Sequence, residues 1–216
     1  MTDFLRQAHI VSPEVLRRPI LIIGAGGIGS PTALALAKMG CSKIRVYDFD
    51  IVEAHNLPNQ FYCEGDLGKA KVDALADVAQ LLTGVTLEGV RERIVDQRLS
   101  GVVISAVDTM ESRKAIWRNG VRYNPQVPFF LDARMGAEVC TVYSVRPVDP
   151  DDVVFYDATL YSDAEALEDP CTARAIIYNV FGAAALLANQ VKKFAMGEEL
   201  PREIHFDLKT LTLITK

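Results

Sequence analysis

The chain has 216 residues, a formal net charge of −5 at pH 7 and 50% hydrophobic residues. This length and a mean hydropathy of +0.14 suit a single α/β domain with a sizeable core, and they argue against global disorder. The acidic balance, with no basic run along the chain, argues against nucleic acid or a membrane surface as the main partner.

The first 130 residues alternate predicted strands with predicted helices. A polar arm over residues 1–18 is expected to lie outside the sheet. Short apolar runs predict strands at residues 20–23, 43–47, 85–90, 102–107 and 129–132. Helical patterns end at about Met39 and cover residues 67–82 and 110–123. Such alternation predicts a mainly parallel sheet with right-handed crossovers.

The C-terminal part of the chain has a different pattern. Residues 138–145 alternate as an antiparallel strand does, and residues 204–208 and 211–214 predict a terminal hairpin. Polar residues interrupt the apolar helix predicted at 172–196, which favours a buried or interface helix over a membrane span. The predicted fold is therefore Rossmann-like α/β, with helices on both faces of a mainly parallel central sheet that antiparallel C-terminal strands extend.

Residues 149–170 contain eight acidic residues and no Lys or Arg. The segment has no clear periodicity, so we expect an irregular connection there. An acidic connection of this kind can be simply solvated. A long irregular segment can also serve as a mobile cover or as a loop that binds a partner, and the sequence leaves both interpretations open.

Four cysteines, Cys41, Cys63, Cys140 and Cys171, are far apart and form no CxxC pair. We therefore expect no zinc site and no disulfide scaffold, but reduced thiols in a cytoplasmic protein. Cys41 and Cys140 lie in apolar contexts that are typical of a core. The N-terminal residues MTDFLRQAHI lack the apolar segment of a signal peptide.

A glycine motif, Gly24-x-Gly26-x-x-Gly29, follows the first strand and opens the first helix. In this context glycines allow a tight turn and let backbone N–H groups approach a phosphate at the helix N-terminus. Asp48 ends the second strand, where a carboxylate can accept hydrogen bonds from ribose hydroxyls. The motif predicts a bound nucleotide, and by itself it permits ATP or NAD.

Further motifs narrow the choice of nucleotide. DFDIVEAHNLPNQ covers residues 48–60, GKAK covers 68–71 and SAVD covers 105–108. Together with GAGGIGS at 24–30, these motifs resemble the ThiF/MoeB/HesA family of adenylating enzymes, which are related to ubiquitin-activating enzyme. The resemblance extends through ARMGAEVCTVYSV at 133–145 to the last hairpin, so it implies one ThiF-like adenylation domain over residues 1–216.

The resemblance implies an ATP site. The backbone of the glycine turn would lie against the phosphates, Asp48 would hold the ribose, and Asn56 and Lys71 would contact the phosphates. The residues that it assigns to the nucleotide are Gly24, Gly26, Gly27, Gly29, Asp48, Asp50, Asn56, Asn59 and Lys71.

The same resemblance implies the catalytic groups. Asp108 would hold Mg2+, a cation that prefers carboxylate and phosphate oxygens, and Asp50 is a secondary candidate near the same site. Lys71 would offset the charge of the departing pyrophosphate. A carboxylate of a small ubiquitin-like or sulfur-carrier protein would attack the α-phosphorus, which gives an acyl-adenylate without a protein nucleophile.

The chain departs from the family pattern at one position. The family usually has arginine where this chain has Asn59 in NLPNQ. Arg6, in FLRQ at residues 4–7, resembles an arginine of the family's N-terminal arm that is donated to the ATP site of a partner subunit. The resemblance therefore implies a homodimer with shared sites.

Cys171 precedes the longest predicted helix and lies near Arg174. A helix N-terminus and a neighbouring cation both favour a thiolate. In some relatives a cysteine near this position bonds covalently to the carrier protein, and in others it is dispensable, so a catalytic and a structural interpretation both stand.

Three hypotheses follow from the sequence. The first is ATP-dependent adenylation of a carrier protein. The second is a degenerate family member that binds a nucleotide or a partner without adenylating, which Asn59 favours. The third is an NAD-dependent oxidoreductase, which the glycine motif permits.

Overall fold

The computed structural model describes residues 3–161 and 176–216. Within these residues, eight strands form one sheet: β1 Ile20–Ile23, β2 Ile44–Tyr47, β3 Glu88–Val90, β4 Val102–Ser105, β5 Phe129–Gly136, β6 Val139–Val145, β7 Glu203–Asp207 and β8 Thr212–Thr215. Their order across the sheet is β3-β2-β1-β4-β5-β6-β7-β8. The first five in that order pair in parallel, and the pairs from β5 to β8 are antiparallel. This arrangement confirms the predicted fold class.

The α-helices of the described residues are α1 Gly29–Met39, α2 Lys71–Thr83, α3 Met110–Ile116, α4 Pro150–Asp157 and α5 Ile177–Met196. A π-helical turn, Trp117–Val121, continues α3. Short 3-10 turns occur at Leu5–Gln7, Ala54–Asn56 and Glu64–Asp66.

Helices cover both faces of the sheet, which explains why β1 is apolar along its whole length. Ile22 of β1 belongs to the core beneath α1, α2 and α5, and the neighbouring Leu21 and Ile23 belong to the core beneath α3 and α4. All four residues of β1 are buried. When a strand is buried on both faces, none of its side chains faces solvent, so its sequence is a continuous apolar run.

Each of the two cores has a distinct composition. The core under α1, α2 and α5 is mainly aliphatic, and it includes Cys41 and Cys140, as predicted. Burial raises the pKa of the Cys41 thiol to about 12 and that of Cys140 to about 11. The core under α3 and α4 is built around Trp117 and Tyr156, whose ring centroids are 4.6 Å apart.

The acidic segment is not an irregular connection over its first part. Asp149 accepts hydrogen bonds from the backbone N–H groups of Asp151 and Asp152, and Pro150 begins α4. Val153 and Tyr156 lie on the inner side of this helix and are fully buried. The prediction of an irregular segment is therefore wrong for Pro150–Asp157, because an N-cap aspartate followed by proline is a strong helix start. Residues 162–170 and Cys171 lie outside the described residues.

Several further boundaries differ from the prediction. Gly68 has φ +82°, and Ala70 forms a β-bridge with Ile51, so α2 begins at Lys71 instead of residue 67. β5 continues past residue 132 to Gly136, because its second half pairs with β6. The long helix begins at Ile177 instead of residue 172, because the preceding Ile176 has extended backbone, and the terminal hairpin is present as predicted. Within residues 3–161 and 176–216, no helix has both the length and the apolarity that a membrane crossing requires.

Candidate functional site

The glycine turn lies between the ends of β2 and β4. The N–H of Gly24 donates to the carbonyl of Tyr47 at 2.8 Å, and a Cβ on Gly24 would lie 2.6 Å from the carbonyl oxygen of Ala106. A Cβ on Gly29 would lie 1.8 Å from the carbonyl oxygen of Gly24. These contacts require glycine at both positions, and they bring the N-terminus of α1 to the carboxyl edge of the sheet.

That helix end is suited to an anion. Ile28 precedes α1 and provides no side-chain hydrogen bond as a cap. The first backbone N–H groups of a helix carry partial positive charge and have no intrahelical partner. The turn through Gly26 and Gly27 therefore presents backbone donors where the sequence predicts phosphates.

Asp48 links the turn to the end of β2. Its Oδ2 accepts from the N–H of Ala25 at 2.6 Å, and its Oδ1 accepts from the N–H of Asp50 at 2.8 Å. The residue is buried. Each oxygen of a carboxylate can accept a second hydrogen bond, so this structural role is compatible with the predicted ribose contact.

The side chain of Asn56 forms a hydrogen bond to the backbone of its own turn, as asparagine side chains commonly do in loops. Its Oδ1 accepts from the N–H of Glu53 at 2.9 Å, in a reciprocal capping arrangement around the turn Ala54–Asn56. Asn56 is buried, and the backbone N–H groups of Asn59 and Gln60 donate to its carbonyl. The side chain thus fixes the loop that carries the family motif, whatever else it contacts.

The segment of residues 59–62 lies against the glycine turn. Ser30 Oγ donates to the carbonyl of Gly26 at 2.8 Å and accepts from the N–H of Phe61 at 3.1 Å. The hydroxyl of Tyr62 donates to the carbonyl of Ala25 at 2.6 Å, and burial raises its pKa. The carbonyl oxygen of Asn59 would lie 3.3 Å from a Cβ on Gly27. Asn59, where the chain lacks the usual arginine of the family pattern, thus lies beside the glycine turn.

Lys71 and Asp50 form an ion pair at this edge. Lys71 is the first residue of α2 and is only 7% exposed, and its Nζ lies 2.9 Å from Asp50 Oδ2. The Asp50 side chain remains 48% exposed. The structure therefore brings these two predicted residues together, as a buried ammonium beside a half-exposed carboxylate.

Asp108 follows β4 by three residues and is exposed. Its carboxylate has no hydrogen bond or ion pair with any other described residue. The preceding backbone is fixed beside the glycine turn, because the N–H of Ala106 donates to the carbonyl of Ile23 at 2.8 Å. Asp108 therefore lies just beyond the carboxyl end of a central strand, where α/β proteins place ligand contacts.

Arg6 is not part of this constellation within one chain. Gln7 Nε2 donates to the carbonyl of Met39 at 2.7 Å, which holds the N-terminal arm at the C-terminal end of α1. The glycine turn lies at the opposite end of this helix of 11 residues, about 16 Å away at 1.5 Å per residue. Cys171, the other predicted catalytic residue, lies outside the described residues.

A buried charge network went unpredicted from the sequence. Asp132 is fully buried and accepts from Arg113 Nε at 3.0 Å and from Arg134 Nε at 2.8 Å. Arg134 also donates to the backbone and hydroxyl of Thr159. Two charged residues inside the otherwise apolar run of β5 are the signal that could have revealed this network.

A cavity of about 460 Å3 lies elsewhere in the molecule. Its lining includes Pro19, Lys43, Thr86 and Ser100, which precede four parallel strands. This is the amino edge of the sheet, opposite to the glycine turn. Because ligands of open α/β sheets bind at the carboxyl edge, the turn and its neighbours are the candidate site.

The sheet order, the glycine turn and the Asp48 contacts define a Rossmann-like α/β protein. A family model described as ThiF family matches residues 13–214, and the chain belongs to that family.

Curated relatives match about half of the chain. The SAMP-activating enzyme E1 of Haloferax volcanii is 33% identical over 121 residues, which cover 49% of this chain and 45% of the relative. The NEDD8-activating enzyme E1 catalytic subunit of Caenorhabditis elegans is 36% identical over 109 residues, 47% of this chain and 25% of the relative. The sulfur carrier protein ThiS adenylyltransferase of Bacillus subtilis is 31% identical over 130 residues, 54% of this chain and 37% of the relative. The matches thus span less than half the length of each relative.

Solved structures support the fold over a greater length. E. coli MccB with ATP has a TM-score of 0.71 at 17% identity, covering 94% of this chain and 65% of that chain. PaaA has a TM-score of 0.74 at 20% identity, with the same coverage of both chains. At these identities the likeness establishes the shared fold.

Proposed function

We propose that this chain uses ATP to adenylate the C-terminal carboxylate of a small ubiquitin-like or sulfur-carrier protein, with release of pyrophosphate. The proposal rests on one observation: three features lie at the same edge of the sheet. They are the glycine turn, the ion pair of Lys71 with Asp50, and the exposed Asp108. Membership of the ThiF family and relatives named as E1 enzymes or as a ThiS adenylyltransferase support it.

In this reaction the chain mainly positions and stabilises charge. Backbone N–H groups at the start of α1 hold the phosphates, and Asp48 accepts from the ribose with its remaining lone pairs. Lys71 is held in place by Asp50 and stabilises the negative charge that develops on the leaving pyrophosphate. The attacking group is the carboxylate of the carrier protein, so a nucleophile from this chain is unnecessary for the adenylation step.

The acidic residues of the site fit a magnesium ion bound together with ATP. The described residues contain no group of three or more His, Cys, Asp or Glu side chains arranged to hold a metal. A single exposed carboxylate such as Asp108 matches the way Mg2+ binds, through one or two carboxylates, phosphate oxygens and water. Bound there, the ion would neutralise phosphate charge during the displacement.

Arg6 would complete the site from a second copy of the chain. In its own subunit the N-terminal arm is attached to the far end of α1 through Gln7. A homodimer that places this arm over the neighbouring glycine turn would supply a guanidinium near the phosphates. This contribution would offset the loss of the family arginine at Asn59, where the chain departs from the family pattern.

The test is ATP–pyrophosphate exchange with a panel of carrier proteins that end in Gly-Gly. We expect exchange with at least one carrier, and a loss of at least about 100-fold in Asp108→Ala, because charge stabilisation is the main source of catalysis. Calorimetry should show ATP binding and no NAD binding. ATP binding without exchange for any carrier would contradict the proposal and would favour the degenerate member that Asn59 suggests.

A further inference from the structure

The loop that carries Asp108 is held from beneath by Arg113. Arg113 lies in α3, and its Nη2 donates to the carbonyl of Val107 at 2.5 Å and to the carbonyl of Ala133 at 3.1 Å. Val107 immediately precedes Asp108 in the chain. The guanidinium therefore connects the backbone of the Asp108 loop to the neighbouring strand β5.

Arg113 is itself fixed by buried charge. The residue is 6% exposed, and its Nε donates to Oδ1 of Asp132, which is fully buried. The other oxygen of Asp132 accepts from Arg134, whose remaining donors reach Thr159. The guanidinium of Arg134 also lies 4.5 Å from the ring centroid of Tyr143. Asp132 is thus held by Arg134, and Ala133 lies in the pairing of β5 with β6, so two of the three groups that Arg113 contacts are fixed independently of it.

The carboxylate of Asp108 has no partner of its own among the described residues. Its direction is therefore set by the backbone on either side. After Asp108, Thr109 caps α3 by accepting from the N–H of Ser112 at 3.2 Å. Before it, Arg113 holds Val107. A group that must meet a cation only when a nucleotide arrives benefits from such preorganisation.

We propose that Arg113 is a positioning residue that orients Asp108 toward the metal-bound phosphates of ATP. The proposal rests on the proposed function, since it assigns Asp108 to the magnesium ion. Arg113 acts through the carbonyl of Val107, and the ion pair with Asp132 keeps its guanidinium in place. A planar fork that joins two carbonyls and one carboxylate is a task that lysine cannot perform, because its ammonium is a single compact charge.

The decisive variant is Arg113→Lys, and the matched control is Arg134→Lys. Both weaken the salt bridges of the same buried carboxylate, but only Arg113 contacts the Asp108 loop. NMR relaxation of the full chain without nucleotide measures the order parameters of the Asp108 and Thr109 amides. We expect Arg113→Lys to lower them from about 0.85 to below about 0.6, and Arg134→Lys to leave them unchanged.

Calorimetry of ATP binding, with and without Mg2+, gives the second measurement. We expect Arg113→Lys to weaken Mg-ATP binding about tenfold, which corresponds to the loss of one charged hydrogen bond, and to leave metal-free ATP binding unchanged. If Arg113→Lys fails to fold, Asp132→Asn removes the charge that fixes Arg113 and should give the same changes.

Order parameters that stay unchanged in Arg113→Lys would overturn the positioning role, and so would equal losses in Arg134→Lys. Lowered order parameters at Asp108 together with a normal affinity for Mg-ATP would overturn it as well. A natural chain that binds no ATP would overturn the proposed function instead, and the order parameters would still decide whether Arg113 holds the Asp108 loop.

Discussion

At the scale of single residues, the lysines at positions 69 and 71 show how burial separates two similar side chains. Lys69 is exposed and pairs with Asp66, whereas Lys71 is almost fully buried beside Asp50. A buried ammonium loses hydration and is retained only where it has a partner or a task. Lys71 is thus the cation that the fold places at the carboxyl edge of the sheet.

Lys71→Met should lower pyrophosphate exchange by about 100- to 1000-fold, because the charge that stabilises the departing group is lost. Lys69→Met removes the same charge two residues away and should change the rate less than about twofold, since exposed ion pairs contribute little. Steady-state exchange assays on both variants make the comparison. Equal losses in the two variants would argue for a general charge effect and against a specific role of Lys71.

Two glycines with left-handed backbone provide a matched test of the turn. Gly24 and Gly84 have φ +99° and +74°, but only Gly24 has backbone atoms where a Cβ would lie. Gly84→Ala should cost about 1 to 2 kcal/mol of unfolding free energy, from backbone strain alone. Gly24→Ala should cost about 3 to 5 kcal/mol, because overpacking against Ala106 adds to that strain. Urea unfolding measures both, and equal costs would show that the contact with Ala106 relaxes freely.

At the scale of elements, the turn Glu64–Asp66 sets the start of α2 through one carboxylate. Asp66 accepts from the N–H of Cys63 at 3.0 Å and from Lys69 Nζ at 2.9 Å. Burial acts to raise the pKa of Asp66, but the hydrogen bonds from Cys63 and Lys69 outweigh it, so the pKa is lowered. The folded state therefore favours the ionised carboxylate.

Because the folded pKa of Asp66 is below its unfolded value of about 3.9, its contribution to stability is present above that pH and is lost as the pH falls through the folded pKa. Asp66→Asn should therefore lower the unfolding free energy by about 1 kcal/mol at pH 7. The difference from the natural chain should shrink below about pH 4. Urea unfolding across this range, with exposed Asp77→Asn as the control, checks the sign. A difference that is constant with pH would exclude the carboxylate charge as its cause.

How far the sequence predicts each element depends on how local its causes are. The apolar run of β1, the glycine turn and the hairpin of β7 with β8 follow from neighbouring residues, and they are where the patterns predict them. The pairing of Arg113 with Asp132 cannot be predicted in this way, because α3 and β5 meet only in the folded chain. α4 was missed for a different reason, since its acidic residues suggest a solvated segment, whereas Asp152 is buried together with Val153 and Tyr156.

At the scale of the whole molecule, the two ends of α1 contact different parts of the chain. The glycine turn is at one end, and the N-terminal arm with Arg6 is attached to the other. Within one copy of the chain, Arg6 therefore lies far from the glycine turn, so the proposed sharing of Arg6 requires a second copy. Arg6 is exposed, so Arg6→Ala should leave the fold of a single copy intact and affect only what two copies do together.

Subunit mixing tests this sharing. Neither Arg6→Ala nor Asp108→Ala should be active alone, but random mixing of equal amounts should restore about a quarter of the natural sites, because half of the dimers are mixed and each has one intact site. Pyrophosphate exchange after mixing measures the recovery. Sedimentation must first show that the two variants exchange subunits, and exchange without recovered activity would contradict the sharing.

The contacts of Ser30 and Tyr62 with the glycine turn have a consequence for how this protein responds to change. These side chains hold the turn and the segment of residues 59–62 together before any ligand arrives. The conformational entropy of ordering this surface is thus lost during folding, and little remains to be lost on binding. Changes that loosen these contacts should therefore lower the unfolding free energy and the affinity of the proposed nucleotide site in parallel.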